Sequence, residues 1–215
     1  MRSVVDIGRR IELVPMDPHF NDISIGLYRQ NTDHGNNAPV FLVHTYSHIS
    51  GAAERIETVA AAMQVLGGML KNADGLLHFP CNSAHEAACR RVFLEACKLA
   101  PGEPAEPRPL NILDKKSQLM ITVDSMGKGV YRVTAEGEGR GAARRVSSIA
   151  AGLAKLGEME TVETDNRDTV AFACQQSHDA LVGLLLTRAP NVRVVLREAE
   201  MEATRGVLSA PSQQT

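Results

Sequence analysis

The chain has 215 residues, 44% of them hydrophobic and 22% charged, which is enough apolar side chain for a buried core and too little charge for a disordered chain. A formal net charge of −2 excludes a global attraction to nucleic acid or to an anionic membrane, and aromatics at 4% with no Trp argue against a base-stacking platform. No run approaches the ~20 apolar residues of a membrane span, and the four cysteines include no C-x-x-C pair, so the expectation is a cytoplasmic protein with reduced thiols.

In chain order, residues 10–14 (RIELV) read as a short strand stopped by Pro15 and Pro18. Residues 23–28 and 40–46 alternate like strands and flank the turn-forming cluster 31–38, which predicts a hairpin. A helix follows Gly51, because Ile56, Val59, Met63 and Leu66 step by three and four, and Gly67 and Gly68 supply its stop. Residues 76–81 read as a short strand and 83–99 as a second helix with Ala88, Val92 and Ala96 on one face. Four prolines in 101–109 (PGEPAEPRP) mark a boundary, since proline supports neither a helix interior nor a central strand.

Beyond the prolines the order returns. Residues 110–113 read as a strand, 119–124 and 130–134 as a hairpin around Gly127-Lys128-Gly129, and 142–156 as a helix. Residues 170–174, 177–189 and 192–197 then read as strand, helix and strand. The repetition extends to residue types. Residues 51–69 (GAAERIETVAAAMQVLGGM) align without a gap on 141–159 (GAARRVSSIAAGLAKLGEM), which repeat the glycine, the alanines, Arg55 as Arg145 and Met69 as Met159. The expected fold class is therefore α+β, a tandem duplication of two strand-strand-strand-helix-strand-helix units packed with pseudo-twofold symmetry, their sheets covered by helices. Residues 1–105 and 106–201 form the two repeats, and 202–215 a polar tail. This element order resembles the fold shared by the GHMP kinases and imidazoleglycerol-phosphate dehydratase. The resemblance is one of topology. Neither the kinases' glycine–serine loop nor the dehydratase's adjacent histidine pairs are present, so it implies no activity.

Three groups of residues carry chemistry. The loop 136–145 (EGEGRGAARR) combines Gly137, Gly139 and Gly141 with Arg140, Arg144 and Arg145 ahead of a helix. Exposed backbone N–H groups, the helix start and arginine forks suit a phosphate or carboxylate. The leading expectation is a small anionic ligand held there, near the interface of the halves, with or without catalysis. The bland alternative is a solvated loop. Second, Cys81-x-x-x-His85 recurs as Cys174-x-x-x-His178, each cysteine two residues after a phenylalanine, Phe79 or Phe172. The simplest reading is a packing solution kept by both copies. A histidine-activated thiol and a four-ligand zinc set meeting across the pseudo-twofold stand beside it. No cofactor follows from the pattern. Third, His44 and His48 close a strand and read as surface residues. The segment from Leu181 to Leu186 is apolar on every side of its helix, which predicts burial on two sides and an assembly role as a homo-oligomer contact.

Overall fold

The computed structural model describes residues 8–30, 39–81, 83–137, 140–162 and 168–191. The expected turn cluster at 31–38, the last strand at 192–197 and the tail at 202–215 lie outside the described residues.

Strands β1 (Arg9–Val14), β2 (Ile25–Gln30) and β3 (Val40–His44) form an antiparallel meander. Helix α1 (Ala52–Gly67) follows, then β4 (Leu70–Lys71), β5 (Leu77–His78) and α2 (Glu86–Ala96). The sheet runs β1-β2-β3-β5-β4. After the proline-rich stretch come β6 (Asn111–Asp114), β7 (Leu119–Gly127), β8 (Val130–Glu136), α3 (Ala142–Gly157), β9 (Met159–Thr161), β10 (Thr169–Phe172) and α4 (Asp179–Arg188). The second sheet runs β6-β7-β8-β10-β9, again antiparallel throughout. The architecture is α+β, two five-stranded antiparallel sheets with four helices, and the two strand orders match position for position.

Each sheet buries one face by simple alternation. Ile25 and Leu27, Phe41 and Val43, Leu119, Ile121 and Val123, and Tyr131 and Val133 point inward. The helices cover that face with Val59, Met63 and Leu66 from α1 and Val146, Ile149 and Leu153 from α3. The buried residues of both sheets and all four helices form one continuous hydrophobic cluster. The proline stretch packs against this body: the Gly102 N–H donates to Thr58 Oγ1 at 2.9 Å, and a Cβ on Gly183 of α4 would lie 2.6 Å from the Arg108 carbonyl oxygen.

Several expectations shift. Strands β4 and β9 were not expected; each follows its helix after a left-handed residue, Gly68 or Glu158, and pairs with the strand that follows it. Helices α2 and α4 begin two to three residues later than the sequence pattern suggests, because His85 and His178 occupy their N-cap positions. The burial on two sides expected from Leu181 to Leu186 is met within the single chain, where Leu181, Val182, Leu184, Leu185 and Leu186 are at most 1% exposed. The all-round apolarity of the segment is consumed by α1, α3 and β6, which flank α4.

Two buried arginines brace the fold. Arg55 of α1 is fully buried, pairs with Asp17 at 2.8 Å, and donates to the carbonyls of Leu99 and Cys97 at the end of α2. Its guanidinium thus neutralises a buried carboxylate and satisfies helix-terminal acceptors at once. Arg145 of α3 occupies the corresponding helix position and pairs with the buried Asp114.

Candidate metal centre

The site is built where the two halves meet. In the first half, β5 ends at His78; the chain then passes Phe79 and Cys81 and enters α2 after His85. In the second half, β10 ends at Phe172; the chain passes Cys174 and enters α4 after His178. Each cysteine donates its thiol to a carbonyl two residues on, Cys81 to Ser83 at 3.8 Å and Cys174 to Gln176 at 3.4 Å. The two loops are tied together by Ser83 Oγ, which donates to the Ala173 carbonyl at 2.9 Å.

All four side chains converge. One ligating atom from each of Cys81, His85, Cys174 and His178 lies within 4.8 Å of every other. Cys174 Sγ is 3.3 Å from His178 Nε2. Zinc takes thiolate sulfur at ~2.3 Å and imidazole nitrogen at ~2.0–2.1 Å, so a tetrahedral set has donors about 3.3–3.8 Å apart. The observed spread needs only small side-chain adjustments to close around one ion. It is too tight for a two-iron cluster, which holds its cysteine pair away from its histidine pair by the width of the iron–sulfur core.

The imidazoles sit deep. His85 and His178 are each 3% exposed, with ring centroids 5.0 Å apart, and both meet Phe79 and Phe172 edge to face at 5.0–5.5 Å. This apolar surround holds both rings neutral. Burial lowers the His85 pKa, and burial together with the neighbouring His85 lowers that of His178 to about 4. Neutral imidazole is the metal-ligating form. His85 Nε2 is buried and has no hydrogen-bond partner among the described residues. A buried ring nitrogen without a partner, on a histidine that belongs to this cluster, is a donor that a cation would satisfy. His85 also holds a left-handed backbone, φ 43°, which costs a non-glycine residue about 1–2 kcal/mol. That strain is placed at a residue whose side chain enters the cluster, as is common where geometry serves a site.

Cys81 is 7% exposed, and burial, with Cys174 adding to it, pushes its thiol up to about 11. A free thiol there stays protonated at neutral pH, whereas a coordinated one is deprotonated outright. The remaining cysteines belong to the core: Cys89 and Cys97 are buried in and just after α2, and burial raises both thiols.

Positioning groups surround the second pair. The Tyr131 hydroxyl accepts from the His178 N–H and donates to Asp179 Oδ1 at 3.0 Å, which orients the first turn of α4. The tip of the β7–β8 hairpin lies against the Cys174 loop: Gly129 accepts from the Phe172 N–H at 2.8 Å, and a Cβ there would stand 2.7 Å from the Cys174 oxygen and 2.9 Å from the Gln176 oxygen. The tip reads from sequence as an ordinary turn; nothing in the pattern ties it to the cysteine loop. Tyr131 aligns with Phe41, and that hydroxyl, present in one copy alone, was the available signal for a second-half role.

The arginine loop is divided. Arg140 and Arg144 are exposed beside the start of α3, with Gly141 at its N-cap at φ 89° and Gly137 exposed at φ 142°. Gly139 lies outside the described residues. Arg145 is buried and already paired with Asp114, so its charge is not free for a ligand. His44 is half-buried and stacks edge to face on Tyr46 and Tyr28, while burial lowers its pKa.

The structure is thus an α+β protein in which two cysteines and two histidines, two from each half, form a cluster that could hold a metal ion. Comparison with protein-family models, with curated proteins and with solved structures finds no match to this chain. No helix among the described residues is long and apolar enough to cross a membrane.

Proposed function

We propose that the protein binds one zinc ion through Cys81, His85, Cys174 and His178, and that the ion locks two duplicated, pseudo-twofold-related halves together. The convergence of four soft and borderline donors within 4.8 Å carries this reading. Two thiolates and two imidazoles are a zinc set, and four protein ligands leave no open coordination position, the mark of a structural rather than a catalytic zinc. The matched strand orders and the repeated F-x-C-x-x-x-H pattern support descent of both halves from one unit. The two thiolates balance the charge of the ion, so the apolar cage of Phe79 and Phe172 encloses a neutral centre.

Elemental analysis of protein purified without chelator tests the reading. One zinc per chain is expected, together with a tetrahedral sulfur–nitrogen spectrum when cobalt replaces it. Substituting Cys81→Ser and Cys174→Ser together should abolish both. Zinc far below one per chain, or zinc unaffected by that double substitution, overturns it. A small anion at Arg140 and Arg144 is a separate proposal, supported by the exposure of both guanidinium groups beside a helix start.

A further inference from the structure

The four ligands are not equally placed. Cys81 and Cys174 both line a cavity of about 580 Å³ at the seam between the halves, whereas the buried His85 and His178 are not part of its wall. Phe79, Pro80 and Ser83 from one loop and Ala173, Gln175 and Gln176 from the other form its remaining wall with His78. Cys174 is half-buried and open to this space; Cys81 lines it from the opposite loop. A small polar molecule in the cavity lies beside both cysteines. The sulfurs come from different halves, lie within 4.8 Å of each other, and each sits in a loop outside the regular elements. A disulfide requires about 2.0 Å between sulfurs, so the two loop side chains must close the remaining gap.

We propose that Cys81 and Cys174 are an oxidative modification site, at which a peroxide entering the cavity joins the two sulfurs as a disulfide across the seam and releases the metal. Metal release rests on the zinc reading; the disulfide does not. One thiolate attacks a peroxide oxygen, the O–O bond breaks, and hydroxide leaves to take up a proton as water. The sulfenic acid formed is attacked by the second thiolate, its S–O bond breaks, and a second water leaves with another proton. In sum, two zinc-bound thiolates, one hydrogen peroxide and two protons give one disulfide, one zinc ion and two waters; in the metal-free chain two thiols, each losing its proton as its sulfur reacts, and one hydrogen peroxide give one disulfide and two waters. The two electrons pass from sulfur to peroxide, and zinc changes no oxidation state. With both sulfurs joined, two imidazoles are left, and the four-ligand set no longer exists. Cys89 and Cys97 serve as internal controls, since both are packed in the core away from the cavity.

The experiment uses the full chain, both as purified and after stripping with a chelator, exposed to hydrogen peroxide. Released zinc is read with a chromogenic chelator, the linkage by mass spectrometry of non-reduced peptides, and free thiols by titration of the denatured chain. The expected result is a fall from four titratable thiols to two, a Cys81–Cys174 peptide, and one zinc released per disulfide. Dithiothreitol with added zinc should restore both thiols and metal. Zinc retained with all four thiols intact overturns the proposal. So does oxidation of Cys174 to sulfinic acid without a link, or a link between two chains. If the purified protein holds no zinc, the metal reading fails with its release step, while the peptide map of the same sample still decides whether the disulfide forms.

Discussion

The hairpin tip beside the site offers a controlled perturbation, because two glycines in one turn have opposite surroundings. Gly127 at φ 85° and Gly129 at φ 72° both hold left-handed backbone. A Cβ on Gly127 would meet nothing within 4 Å, whereas on Gly129 it would stand 2.7 Å from the Cys174 oxygen and 2.9 Å from the Gln176 oxygen. Gly127→Ala should therefore incur only the left-handed penalty, about 1–2 kcal/mol. Gly129→Ala incurs the same penalty plus a clash with backbone that cannot rotate aside, about 1–3 kcal/mol more. For a chain of this size each kcal/mol lowers Tm by roughly 2–4 °C. The decisive readout is zinc affinity by competition with a chelator. Displacing the loop that carries Cys174 should weaken binding by about 10–100-fold, the usual effect of disturbing a ligand's support. Gly127→Ala should leave affinity unchanged. Equal zinc affinities for the two variants would refute the argument that the tip positions the cysteine loop.

Other outcomes follow from the same packing. Arg55→Met strands the buried Asp17 and should cost about 3–5 kcal/mol in urea unfolding, while the double variant Asp17→Asn/Arg55→Met should recover most of it. Burial would raise the Asp114 pKa, but hydrogen bonds from Ser117, Arg145 and the Lys116 N–H outweigh it and hold the carboxyl below its ordinary value. The unfolded chain then binds the proton more readily, so this contribution to stability is complete above the ordinary carboxylate pKa and is lost as pH falls through the lowered one; Asp114→Asn should flatten that part of a stability–pH curve. Arg140→Ala with Arg144→Ala should change stability by less than ~0.5 kcal/mol, as both are exposed, and a phosphate-dependent thermal shift present in the parent should vanish. No phosphate effect in the parent would end the anion reading.

The recurrence of 51–69 at 141–159 made α1 and α3 legible, including the glycine before each, though not the left-handed backbone those glycines hold. It also contained the answer to Arg145. A residue that recurs as Arg55 is a requirement of the fold by the same logic that applies to Gly51 and Gly141, and the structure buries both arginines in ion pairs. Their partners were not legible, because Asp17 lies in a loop after β1 and Asp114 ends β6, positions that do not align. The Cys and His repeat was visible as a pattern. Its convergence was not, since whether two distant loops meet depends on how the halves dock. Strands of two or three residues such as β4 and β9 are too short to show a period and exist only because a neighbour pairs with them.

The two-and-two division of the ligands has a consequence for the chain as a polymer. Each Cys–His pair is local, but the pairs at 81/85 and 174/178 stand roughly 90 residues apart, so the proposed ion, held by both, would close a loop of about that length in the unfolded ensemble. By chain entropy alone such a crosslink is worth ~4–5 kcal/mol. During synthesis the first pair leaves the ribosome with half a shell and no means to complete it. Under the proposed zinc reading, full-affinity binding would wait until Cys174 and His178 have emerged and docked, so metal uptake would report that the two loops have met. The same ion would resist mechanical separation of the halves most strongly at the seam, where the loops of Cys81 and Cys174 would otherwise be the first to part.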